Sequence, residues 1–170
     1  MAEELKGVGE AIRAMVRQVE ARWRSTRGGR AVDYATIERQ VAAGAAALER
    51  ARHQAVLQGL EVDQPRGGME GKGDSRDGRD EADYYTRAGP VRLTRTLDRE
   101  QGQRNAKPVT AVSLRSGAVA EGWLPATAQA LAQQLQQGTA REAETRAPLL
   151  GRLPSARSSC ERVGQEVGCR

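Results

Sequence analysis

The chain has 170 residues, a net charge of +5 and 38% apolar residues, and it contains no Phe. Its aromatic side chains are Trp23, Trp123, Tyr34, Tyr84 and Tyr85. Aromatics bury the most apolar area per residue, so this scarcity excludes a large single core and implies marginal stability, or stability shared with a partner or a further domain.

The basic excess is mild and favours a polyanionic partner such as nucleic acid. It is carried almost wholly by Arg, with Lys at positions 6, 72 and 107 alone. Arg suits bidentate contacts to phosphate and guanine, although a GC-rich coding bias produces the same composition. On one helix, Cys160 and Cys169 would be separated by ~13 Å of axial rise, beyond the ~7 Å that a disulfide spans between Cα atoms. With no CxxC and His53 as the sole histidine, a zinc site is excluded, and no metal or cofactor is expected. No apolar leader and no run near the ~18 apolar residues of a membrane span is present, so a cytoplasmic protein without membrane association is expected.

The sequence predicts a mainly α protein in four parts. Residues 1–63 read as a helical hairpin. Its first helix, Ala2 to Arg24, carries a stripe of Leu5, Val8, Ile12, Met15, Val16, Val19 and Trp23 at three- and four-residue steps. Ser25 to Arg30 is a Gly- and Arg-rich break, after which Asp33 caps a helix from Tyr34 to about Leu60. Ile37, Val41, Ala45, Leu48, Ala51 and Ala55 give that helix a small-residue stripe suited to close packing on the first. Residues 64–83 read as a flexible, disordered linker: Pro65, Gly67, Gly68, Gly71, Gly73 and Gly78 alternate with nearly balanced charges and offer little to bury. GGMEGKGDSRDG has neither the preceding strand nor the GK[ST] of a phosphate loop.

Residues 84–120 read as a short β/extended segment. Asp83 to Arg87 and Val91 to Arg99 form a hairpin turning at Ala88-Gly89-Pro90, with Val91, Leu93 and Leu97 on alternate positions and Arg95 breaking the apolar face. Such a hairpin is marginal alone and must dock on helices or belong to something larger. Gln101 to Lys107 is loop, and Val109 to Ala120 is a further extended piece ending near Gly117.

Residues 121–170 read as a helix-turn-helix-like unit of three helices. Pro125 stands in the first turn of a helix running to about Gln137, with Ala128, Leu131, Ala132 and Leu135 on one face. Gly138 stops it, and Thr139 with Glu142 forms a capping box for the next helix. Leu149, Leu150 and Leu153 supply that helix's buried end before Pro154. Ser155 caps the last helix, which turns Val163 and Val167 inward and Arg157, Ser158 and Arg162 outward, where they reach base edges or phosphates. The plain alternative is a packing unit with a solvated arginine face.

These residues resemble a known family. LRSGAVAEGWLP at Leu114 to Pro125, REAETRAPLL at Arg141 to Leu150 and SARSSCERV at Ser155 to Val163 resemble the region ahead of the catalytic core in ISKra-type bacterial insertion-sequence transposases. GPVRLTRTL, Gly89 to Leu97, resembles the segment just upstream in that family. The resemblance covers roughly Tyr84 to Arg170 and, weakly, the helix from Ile37 to Leu60. It implies a DNA-recognition portion whose metal-binding acidic residues would lie in a following domain. Two positions depart from the pattern. Pro148 falls inside the second helix, where it costs ~3 kcal/mol, and Cys160 stands where a larger apolar side chain would pack.

The expected function is a non-catalytic, transposase-derived DNA-binding fragment that recognises double-stranded DNA at terminal inverted repeats. Arg157, Ser158, Ser159 and Arg162 enter the groove, Ser155 caps their helix, and Arg141 and Arg152 lie on phosphate. The alternatives are a helical protein that self-associates or pairs with an intact transposase through residues 2 to 60, and a decayed reading frame. No nucleophile–base pair marks an independent enzyme; His53 reads as a solvated histidine.

Overall fold

A computed structural model of the chain describes residues 5–27, 33–62, 74–100, 109–120, 122–150 and 157–168. Among them it is mainly helical with one antiparallel β-hairpin, in agreement with the expected class.

α1 (Lys6–Thr26) and α2 (Tyr34–Val62) form the helical hairpin. Asp33 starts α2 as the sequence predicts: its carboxylate accepts the Thr36 N–H at 3.3 Å and the Thr36 hydroxyl. The two helices run antiparallel, with Arg22 Nε donating to Gln40 Oε1 at 2.8 Å and Gly44 beside Met15 and Gln18. Val41 and Ala45, expected to pack on α1, are exposed, and the buried residue of α2 is Leu57, outside the predicted stripe.

The second half of α2 serves the hairpin formed by β1 (Asp74–Thr86) and β2 (Gly89–Glu100). A free strand edge presents unpaired backbone groups, and α2 answers those of β2 one turn at a time. Arg50 Nη1 donates to Ala88 O, in the turn just ahead of β2, at 2.7 Å; along β2 Gln54 Nε2 donates to Arg92 O at 3.3 Å and Gln58 Nε2 to Thr94 O at 3.2 Å, and Glu61 Oε1 accepts the Thr96 N–H at 2.6 Å. Pro90, opposite Tyr85, sits on this same outward-bonding register, where its missing N–H leaves the β1–β2 ladder intact.

The hairpin is longer than predicted. β1 begins at Asp74, within the segment read as linker, because β2 offers a partner as far as Glu100. Residues 63–73 lie outside the described residues. The turn is Arg87-Ala88 rather than Ala88-Gly89-Pro90: Thr86 Oγ1 donates to Gly89 O at 2.8 Å and accepts the Ala88 N–H at 3.1 Å, and Gly89 takes φ +116°. Arg95 does interrupt the apolar face, and it is paired with Asp80 at 3.2 Å. Burial works against its charge, but Tyr84 and Asp80 more than offset this and its pKa is raised.

The extended piece expected at Val109 to Ala120 is instead α3 (Ala111–Ser116). Local capping overrides the β-branched residues here. The Thr110 hydroxyl accepts the Ser113 N–H at 3.2 Å, and Gly117, at φ +66°, closes the helix with its own N–H on Leu114 O and Ala118 N–H on Ser113 O.

α4 (Pro125–Gln136), α5 (Ala140–Leu150) and α6 (Arg157–Gly168) complete the chain. The β-hairpin stands between two cores. Tyr84 turns to one side, into Leu57, Val91, Leu93 and Val112. Tyr85 turns to the other and packs against the core of the three helices, where Val119, Trp123, Ala128, Leu131, Ala143, Cys160 and Val163 are buried.

Candidate nucleic-acid interface

α4 opens with Pro125 at its start, as expected, behind an extended Leu124. It ends at Gln136, and a three-residue turn, Gln137-Gly138-Thr139, leads to α5. Gly138 is not in the left-handed region that a glycine stop implies. A Cβ there would lie 2.1 Å from Glu142 Oε2, so a side chain at 138 would displace that carboxylate. That carboxylate is engaged in the predicted capping box: Thr139 N–H donates to it at 2.9 Å, and Glu142 N–H donates to Thr139 Oγ1 at 3.3 Å.

α5 continues through Pro148 to Leu150, so the proline does not break it. Ala143 is its buried contact, while Arg141, Glu142, Thr145 and Arg146 are exposed. The side chains of Leu149 and Leu150, and all of Leu153 and Pro154, lie outside the described residues.

α6 is fixed by its inner face. Cys160 and Val163 are fully buried, and Val167 packs beside them. α4 and α6 approach closely beside them: a Cβ on Gly164 would come within 2.8 Å of Leu135 Cδ1. At its C-terminal end Glu166 Oε2 accepts the Ala120 N–H at 2.6 Å, which ties the helix to the turn ahead of α4. Glu161, Arg162 and Gln165 are left on the outer side.

The seven sequence-predicted contacts are therefore placed unequally. Arg162 is exposed on α6 and Arg141 is exposed on α5. Arg157, Ser158 and Ser159 belong to the first turn of α6, but their side chains lie outside the described residues, as do Arg152 and Ser155 entirely. The local charge is mixed, since Glu142, Glu144, Glu161 and Glu166 accompany Arg141, Arg146 and Arg162. A row of basic side chains lies instead on α1 and its flank, where among the described residues Lys6, Arg13, Arg17, Arg22, Arg24 and Arg27 outnumber Glu10 and Glu20. The sequence reading overlooked this row because it weighed α1 by its apolar stripe alone. Among the described residues no helix is long and apolar enough to cross a membrane. No protein-family model matches the chain, and no curated protein or solved structure matches it.

Proposed function

We propose that this chain is a non-catalytic, transposase-derived DNA-binding protein that recognises double-stranded DNA at the ends of a mobile element. The observation that carries this reading is the three-helix unit α4–α6. A helix, a three-residue glycine-containing turn and a second helix support a third helix, whose buried Cys160 and Val163 leave Arg162 on the open side. In this reading Arg157, Ser158, Ser159 and Arg162 enter the groove, and Arg141 and Arg152 bind phosphate.

The test is fluorescence anisotropy of the full chain with duplexes carrying terminal inverted repeats and with scrambled duplexes. Arg162→Ala is expected to weaken binding of the preferred duplex about tenfold or more and to relax the preference; Arg141→Ala is expected to weaken binding to all duplexes evenly. Unchanged binding in Arg162→Ala would remove α6 from the interface.

A further inference from the structure

α1 carries more apolar surface than α2 covers. Val8 and Met15 are half-buried, Met15 beside Gly44 of α2, but Leu5 (57%), Ile12 (47%), Val16 (50%), Val19 (55%) and Trp23 (64%) are open to solvent. These five are separated by seven, four, three and four residues, which is the a/d spacing of a coiled-coil seam. Val19 and Trp23 also line one wall of an apolar groove of about 210 Å³ whose other wall is Ile37 and Val41 of α2. The exposed surface is thus continuous across both helices.

We propose that this seam is occupied by α1 of a second copy of the chain, running antiparallel, so that two hairpins close into a four-helix bundle. Three features of the seam favour a second copy. First, it is self-complementary when reversed about its centre: Leu5 meets Trp23 of the other copy, Ile12 meets Val16, and Gly9 leaves room opposite Val19. Second, the same reversal brings Lys6, which flanks the seam, toward Glu20 of the other copy at both ends of the seam, while Arg13 meets its own counterpart at the centre. Third, at the exposures above roughly 500 Å² of apolar side chain is open on α1, so pairing buries at most on the order of 1,000 Å² of apolar side chain over both copies, the threshold size of a specific interface. The bundle goes beyond the DNA reading and does not depend on it, because it uses no residue of α4–α6.

Sedimentation equilibrium of the full chain tests this. The expected mass is twice 18.4 kDa. Val16→Glu and Val19→Glu should each give a monomer whose helical circular dichroism is unchanged, since both side chains are already exposed. Lys6→Glu alone should weaken the dimer and Lys6→Glu combined with Glu20→Lys should restore it. Iodide quenching supplies an independent readout: Trp23 should be protected in the dimer and accessible in Val16→Glu, while Trp123, 2% exposed, stays protected in both. A monomeric wild-type chain, or a dimer that survives both glutamate substitutions, would overturn the proposal. So would a monomer that floats with anionic phospholipid vesicles, which would assign the seam to a lipid surface.

Discussion

Tyr85 stacks on Trp123 with ring centroids 4.6 Å apart and planes 21° from parallel. The same two segments share backbone bonds, Tyr85 N–H to Gly122 O at 2.8 Å and Leu124 N–H to Tyr85 O at 3.2 Å. This junction fastens the three-helix unit to the outer edge of β1, while α2 holds the outer edge of β2. Removing the indole leaves a cavity where the hairpin meets the core of α4–α6, so Trp123→Ala is expected to cost ~3–5 kcal/mol. Chemical denaturation followed by circular dichroism measures it; a loss below ~1 kcal/mol would show that the junction contributes little.

Gly122 and Ala120 make opposite predictions in one turn. Gly122 has φ +140°, and a Cβ there would lie 2.6 Å from Asp83 O, so neither the conformation nor the space admits a side chain. Gly122→Ala is expected to destabilise by ~2 kcal/mol or more. Ala120 holds φ +45° with a side chain already present. Ala120→Gly relieves that strain and is expected to stabilise by up to ~1 kcal/mol, less the entropy that glycine adds to the unfolded chain. Thermal melts of the two variants should shift in opposite directions.

Glu61 is the acceptor for the buried Thr96 N–H. Glu61→Ala leaves that donor without its carboxylate and is expected to cost ~1–3 kcal/mol, whereas Glu61→Gln keeps an amide oxygen there and should cost less. Hydrogen exchange at Thr96 separates the two outcomes; equal protection in wild type and Glu61→Ala would show that α2 does not seal the strand edge.

The Asp33 cap predicts a pH dependence. The Thr36 hydroxyl, and after it the Thr36 N–H, hold the Asp33 carboxyl below its ordinary value of 3.8. A depressed folded pKa stabilises above the unfolded value, and that stabilisation is lost as pH falls through the folded one. Helix α2 should therefore fray at its start below about pH 3.8 in wild type, and Asp33→Asn, which still caps, should remove this part of the acid transition. An identical acid profile in the two proteins would contradict the assignment.

Local devices were the legible part of this fold. Asp33, Pro125 and the Thr139–Glu142 box act within one helical turn, and each stands where the spacing puts it. What depends on distant partners was not legible. The first half of β1 is charged and glycine-bearing, and it is a strand because β2 lies beside it. α3 looks extended from Val109, Thr110 and Val112, yet the Thr110 cap and the left-handed Gly117 fold it into a helix. Gly122 gives no local sign that Asp83 O lies against it. Within the candidate interface the inward side of α6 was readable from Val163 and Val167, and Arg162 stands opposite them; the acidic neighbours Glu161 and Glu166 were not weighed.

The most direct test of the DNA-binding account is the salt dependence of duplex affinity for the full chain. If Arg141, Arg152, Arg157 and Arg162 each neutralise a phosphate, affinity should fall on the order of 100-fold between about 50 and 200 mM salt, and replacing Arg141 and Arg152 with Ala should flatten that slope. Affinity that is flat across the same range, or a slope untouched by the two replacements, would contradict the account.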